Sequence, residues 1–421
     1  MGFPYGAPVV PVSACGHTGW SARAAPAEAR DRNDPNAPHH APREVRPARA
    51  TPVPAALPGR RGQRYHRSCR RSPARFPRRI PMNARTSSTS HRVELMALLT
   101  VAFAASAGAQ SPPAQGPQVT RGVGFYDSTL RRVVIVGGAG EAKARGRDRV
   151  WSWSGARWEL VTDSGPAASG NAGGAYDARR RVAVVAGGAR RAANDSTFEV
   201  IGDTWEGTSS AWRRITGTDL EPRDHQSMVY DEGRQAVLMF GGILGSRAEP
   251  WPNDTWELGS GGWHRIATDG PAGRGRAALV YDSKRRQVVL FGGVGAPPGP
   301  GQPQPFFNDT WVWEGTTWRR VADGGPPARY AHGMVFDERA GVVLLYSGAA
   351  AHRNAPLSDM WQWDGMRWTE IRLTGPTPGY RYQPIMVYDR ARGRTVLYGG
   401  IEGSRDDTWE WDGREWRLTT R

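Results

Sequence analysis

Residues 121–421 predict an all-β chain, a ring of six four-stranded antiparallel sheets of about 50 residues each. Three landmarks predict it. An aromatic-Asp pair recurs at Tyr126-Asp127, Tyr176-Asp177, Tyr230-Asp231, Tyr281-Asp282, Phe336-Asp337 and Tyr388-Asp389, at spacings of 50, 54, 51, 55 and 52 residues. Ten residues after each Asp begins a small pair: Gly137-Gly138, Gly187-Gly188, Gly241-Gly242, Gly292-Gly293, Ser347-Gly348 and Gly399-Gly400. Two tryptophans seven apart complete every unit: Trp151 and Trp158, Trp205 and Trp212, Trp256 and Trp263, Trp311 and Trp318, Trp361 and Trp368, Trp409 and Trp416. Three landmarks in fixed order, six times over, define a repeat array.

Each unit reads as four strands. The first ends at the aromatic-Asp pair, whose carboxylate can accept backbone N–H groups two residues on and start a tight turn. The second is a short continuous apolar run, such as Val133–Val136, Val237–Phe240 or Val288–Phe291, which predicts cover on both faces. Its terminal glycines suit a bend, or a close approach by another sheet. The third carries Trp at period two, as in Trp311 and Trp313 or Trp409 and Trp411. Asp364-Gly365 and Asp412-Gly413 are hairpin signals, and the fourth strand begins at the last Trp. No stretch after residue 109 has helical periodicity.

One such sheet cannot bury two apolar faces alone, so units must stack, and sheet twist favours closing the stack into a ring. The Tyr-Asp, the Gly-Gly and the spaced Trp pair of Asn308-Asp309-Thr310-Trp311 and Asp407-Thr408-Trp409 resemble kelch repeats. The resemblance covers 121–421 and implies a six-bladed kelch β-propeller, with blades at about 121–168, 169–222, 223–273, 274–328, 329–380 and 381–421. The first unit starts with its innermost strand and the last ends with its outermost, so closure without an exchanged strand is expected, unless 110–120 adds an edge.

Charge is unevenly placed. The chain has 421 residues and a formal charge of +16, but residues 1–109 hold 17 Arg, no Lys and 5 acids. The remainder is nearly balanced, which argues against a nucleic-acid partner. Residues 1–81 are rich in Arg, Pro and Ala without periodicity, and read as a leader outside the native protein. Residues 82–109 have the layout of a signal peptide: basic Arg85 and Arg92, an apolar run from Leu95 to Ala105, then Ala107-Gly108-Ala109. The run is too short for a stable membrane anchor. Cleavage near Ala109 predicts a periplasmic or secreted monomer joined by a short linker, 110–120. Both cysteines, Cys15 and Cys69, precede that point.

Function should lie in what differs between blades. In kelch propellers, the resemblance implies, variable loops at one end of the ring form the binding face. Arg223, Arg274, Arg329 and Arg381 stand eight residues before the Asp in four blades, where Val119 and Ser169 stand in the other two. Nearby are His225, Arg276, Tyr330, His332, Tyr380 and Tyr382. Rings and guanidinium forks suit sugars and carboxylates. The same recurrence also fits arginines paired with Asp254, Asp309, Asp359 and Asp407, and the histidines fit loop positions bonded to backbone. Longer insertions lie at Arg190–Ile201, Ile243–Trp251 and Val294–Phe307, with Trp251, Phe306 and Phe307 placed to cover a pore or a blade. No HExxH, GxSxG or histidine cluster is present, so no metal and no cofactor are expected. The copper-radical oxidases that share the kelch repeat need a cysteine crosslinked to tyrosine, which the exported part lacks. A recognition module for a carbohydrate or protein segment is expected. The alternatives are a sugar-acid epimerase or mutarotase using the arginine-lined mouth, for which Asp224, His225, Glu249 and Glu402 stand in suitable loops though no spacing brings them together, and a structural surface protein.

Overall fold

The computed structural model describes residues 116–117, 120–138, 149–166, 170–191, 198–208, 210–217, 220–245, 250–350, 356–400 and 406–420. The leader, the signal segment and the loop positions Val119, Ser169, Glu249, His352 and Glu402 lie outside them. Blade one is β1 (Val123–Asp127), β2 (Arg132–Val136), β3 (Val150–Trp153) and β4 (Trp158–Thr162). Blade two is β5 (Gly173–Asp177), β6 (Val182–Ala186), a side ribbon β7 (Ala189–Arg191) and β8 (Phe198–Val200), then β9 (Thr204–Gly207) and β10 (Trp212–Ile215). Blade three runs through β11 (Arg223–Asp224), β12 (Ser227–Asp231), β13 (Ala236–Phe240), β14 (Ile243–Leu244), β15 (Thr255–Gly259) and β16 (Gly262–Ala267). Blade four is β17 (Ala278–Asp282), β18 (Gln287–Phe291), β19 (Thr310–Trp313) and β20 (Trp318–Ala322). Blade five is β21 (Arg329–Tyr330), β22 (Gly333–Asp337), β23 (Val342–Tyr346), β24 (Ala349–Ala350), β25 (Met360–Trp363) and β26 (Trp368–Ile371). Blade six is β27 (Ile385–Asp389), β28 (Arg394–Tyr398), β29 (Thr408–Trp411) and β30 (Trp416–Thr420).

Each blade is a four-stranded antiparallel meander, and the innermost strands β1, β5, β12, β17, β22 and β27 pack side by side in a closed ring. This is a six-bladed β-propeller. Among the described residues blades one and six are each built from one continuous stretch of chain, with no strand exchanged where the ring closes, and most of 110–120, which could add an edge, lies outside those residues. The described residues contain no helix.

The apolar second strands lie between sheets as their composition requires. Val134, Ile135, Val136, Val289, Leu290 and Phe291 are sealed from solvent. Blade four offers Val289 and Phe291 to Met334, Phe336, Leu345 and Trp363 of blade five. Each fully buried side chain of this size contributes about 1.5–3 kcal/mol. The turn aspartates also behave as predicted: Asp127 Oδ1 accepts the N–H groups of Thr129 and Leu130, at 2.7 and 3.1 Å.

The second Trp of a blade also latches the preceding blade. Its indole N–H donates to the Thr that opens the neighbour's third strand: Trp263 to Thr204, Trp318 to Thr255, Trp368 to Thr310 and, across the closure, Trp158 to Thr408, all at 2.8–2.9 Å. Blades one and five have Val150 and Met360 at that position. The indoles facing them, Trp212 and Trp416, are buried without an acceptor.

Candidate functional site

The upper end of the ring carries the loops between blades and the loops between second and third strands. Arg223, Arg274, Arg329 and Arg381 stand there, each at most 1 % exposed. Each fork grips an aspartate of its own blade with two N–H···O bonds: Asp254 at 2.9 and 3.1 Å, Asp309 at 2.6 and 3.0 Å, Asp359 at 2.7 and 2.6 Å, Asp407 at 2.6 and 2.8 Å. Nη1 donates to the carbonyl that ends the second strand, of Gly241, Gly292, Ser347 or Gly399. Their backbone carbonyls accept the N–H of Gly188, Gly242, Gly293 and Gly348 in the preceding blade. A Cβ at Gly241 would sit 2.5 Å from the Arg274 carbonyl, so this approach requires glycine. Burial pushes Asp309 and Asp359 up, but hydrogen bonds from Arg274 and Arg329 reverse this and leave both below the usual carboxylate range. These guanidiniums are turned into the blades and away from the mouth.

What rims the mouth lies two residues further on. Six residues occupy the same repeat position, six before the Asp: Arg121, Asn171, His225, Arg276, Ala331 and Gln383. None is glycine, yet all have left-handed backbones with φ between 54° and 65°. A collar of backbone bonds holds them: Asn171 N–H donates to Arg121 O, His225 to Asn171, Arg276 to His225, Ala331 to Arg276 and Gln383 to Ala331, at 2.8–3.2 Å. Gln383 Nε2 also donates to Asn171 Oδ1 at 3.3 Å. Left-handed geometry is unfavourable for residues with a Cβ, and here it aims six side chains of five types at one opening.

That opening leads to a cavity of about 160 Å3 lined by Arg121, Asn171, His225, Gln226, Arg276, His332 and Gln383. His225 Nδ1 lies 3.1 Å from Asp224 Oδ1. Burial, aided by Arg276 and Arg121 and opposed by Asp224, lowers the His225 pKa to about 4, so its ring is neutral near pH 7. Arg121 is exposed at the rim, and partial desolvation there together with the Arg276 charge lowers its pKa from the usual arginine value, against the pull of Tyr382 and Asp224. Neither Arg121 nor Arg276 forms an ion pair among the described residues, and Arg276 Nε is buried without an acceptor. Arg276 instead stands over the Tyr330 ring, 5.7 Å from its centroid. The mouth therefore holds two guanidiniums without an ion pair among the described residues, with one carboxylate, Asp224, acting on Arg121 from nearby.

The other predicted residues divide. Tyr330 and Tyr382 meet edge to face at 5.6 Å beside Arg276, and burial raises Tyr330 to about 12. His332 lines the cavity but packs edge-on against Phe291 at 5.6 Å, with both ring nitrogens unpartnered. Burial and Arg329 push it down to about 3. Phe306 packs on Tyr330, and Phe307 lies against the Arg274 guanidinium at 3.7 Å, so both cover blades. Arg121, Asn171 and Gln383 went unrecognised in the sequence. The available signal was a repeat position, six residues before the recurring Asp, whose residue type changes from blade to blade. No group of three or more His, Cys, Asp or Glu among the described residues is arranged to hold a metal.

At the lower end, Arg390 of blade six reaches across the axis to Glu232 of blade three at 2.5 Å and to Glu338 of blade five at 2.6 Å.

No protein-family model matches the chain, and no curated protein matches it. Among solved structures, one titled as the structure of YjhT aligns with 73 % of this chain and 99 % of its own, with a TM-score of 0.56 and 12 % identity. At that identity the likeness shows the fold alone.

Proposed function

We propose that this chain is an exported, monomeric kelch-type propeller that works as a recognition module, taking a small acidic carbohydrate at the upper mouth of its pore. One observation carries the reading: Arg121 and Arg276, from opposite blades of the ring, meet at the mouth with no acid to neutralise both. Two such cations, one exposed at the rim and one half-buried, favour an anion. The cavity suits one sugar ring better than a protein segment. The kelch motif landmarks support the family, and the basic, apolar and small-residue order of 82–109 supports export.

A thermal-shift series with uronic and sialic acids tests it on the purified protein. A ligand at 100 times its Kd stabilises by about 2.7 kcal/mol. The shift should appear with an acidic sugar, be absent with its neutral counterpart, and vanish in Arg276→Ala and Arg121→Ala. A shift equal for neutral sugars, or unmoved by both substitutions, removes the mouth from consideration.

The His225–Asp224 pair favours a second reading, a sugar-acid epimerase or mutarotase. A neutral imidazole whose Nδ1 faces a carboxylate has the form of a general base. Anomer exchange followed by NMR, lost in His225→Gln while ligand binding persists, would select it over simple recognition.

A further inference from the structure

The lower face of the ring carries the six turns that follow the aromatic-Asp pairs, beside the hairpins that join third and fourth strands, and the charge of these turns is unlike that of the propeller as a whole. From each aspartate to the fifth residue after it, these turns hold thirteen arginines and lysines against eight acids. Six of the acids are the buried turn aspartates, which cap backbone N–H groups, and the other two are gathered by Arg390. Several turn arginines are also engaged: Arg132 with Glu159, Arg180 with Asp177 and Glu206, Arg234 with Glu257, Arg392 with Asp389 and Glu410. Arg179, Arg181, Lys284, Arg286 and Arg339 are exposed and form no ion pair among the described residues. They lie on blades two, four and five, on separate arcs around the pore.

Backbone conformation supplies an independent observation. The fourth residue after the turn aspartate is left-handed in all six blades: Arg131, Arg181, Gln235, Arg286, Gly341 and Gly393, with φ of 55°, 57°, 58°, 56°, 68° and 61°. Blades five and six show that glycine fits this turn, and glycine adopts the conformation without a Cβ penalty. Three blades place arginine there instead, against the backbone preference. A coding bias toward arginine does not explain this, since glycine is equally abundant in the chain, at 53 residues. An ion-pair role does not explain it either for Arg181 and Arg286. What remains is a cation presented outward.

We infer that the lower face is a docking surface for an acidic polysaccharide, held by guanidinium–carboxylate contacts on several blades at once. Planar forks match carboxylates in pairs, and spaced contacts along one polymer add avidity. The large apolar side chains exposed on this face are Leu130, at 37 %, and Met366, at 85 %, too few to insert into a bilayer. The turns present no element able to enter a nucleic-acid groove. The inference is independent of the upper mouth.

The test is binding of the purified protein to polygalacturonate across a salt series. Arg181→Gly/Arg286→Gly is compared with Arg265→Gly/Arg372→Gly, which removes two exposed arginines elsewhere. Glycine at 181 and 286 suits the backbone, so the first pair should keep its melting temperature. Its affinity should fall at least tenfold with a shallower salt dependence, while the second pair binds like the parent. Equal loss in both pairs, or no loss in the first, overturns the inference. Preferential binding to phosphatidylglycerol vesicles or to duplex DNA over polygalacturonate also overturns it, in favour of that surface.

Discussion

Arginine plays three parts in this protein, and its partners decide which. Arg329 is buried and bidentate to Asp359, so Arg329→Ala leaves a carboxylate desolvated and should lower stability by about 3–5 kcal/mol in urea unfolding. Arg276 has no acid partner, and Arg276→Ala should move the same midpoint by less than about 1 kcal/mol while abolishing ligand shifts. A similar loss of stability in both would show Arg276 to be a strut as well. The histidines add a pH signature. His225 and His332 titrate near 4 and 3 when folded, below the ordinary 6.5, so the unfolded chain binds more protons between those values. Stability is then fully present above about pH 6.5 and is lost as pH falls toward 4, by roughly 3 kcal/mol for His225 alone. The slope of unfolding free energy against pH in that window should flatten in His225→Gln and again in the double variant with His332→Gln.

At the scale of the strand, the Trp–Thr latch makes one repair available. Val150→Thr is nearly isosteric and would offer Trp212 the acceptor that Thr204, Thr255, Thr310 and Thr408 offer elsewhere. It should stabilise by about 1 kcal/mol, whereas Thr310→Val should cost about 1–3 kcal/mol by orphaning Trp368. A destabilised Val150→Thr would mean that its hydroxyl does not reach Trp212. The strands themselves were legible: alternation, the apolar second strand, the Asp turn and the Gly-Gly bend each follow from local chemistry, and all appear in place. The arginine–aspartate grip was legible as one of two options, because the residue spacing recurs in four blades. The collar was not. Nothing in Arg121 or Gln383 announces a left-handed backbone, and whether a loop residue faces a pore depends on closure of the ring across some 260 residues.

At the scale of the molecule, two ends of one pore have separate chemistry. The upper mouth is narrow, with two cations and a neutral imidazole, while the lower face is broad and studded with outward arginines around the Arg390 tie. Among the described residues the hydrogen bonds that close the ring come from side chains, with Trp158 to Thr408 at 2.8 Å and Trp153 Nε1 to Glu410 at 2.7 Å. Thr408→Val should therefore raise hydrogen exchange in β1–β4 and β27–β30 before other blades, while Thr310→Val should act on blades four and five. Uniform exchange in both variants would mean that the ring opens as one unit.

Because each described sheet is made from one continuous stretch of chain, each blade is a separable module of sequence. A cut between the third and fourth blades would yield two half-rings, each made of whole sheets, and one of the two joints between them, the seam of blades six and one, already meets without a covalent link. Such halves, produced as separate polypeptides, could find each other by shape and indole–hydroxyl pairing, and a gene encoding this ring could gain or lose a unit without recoding its seam.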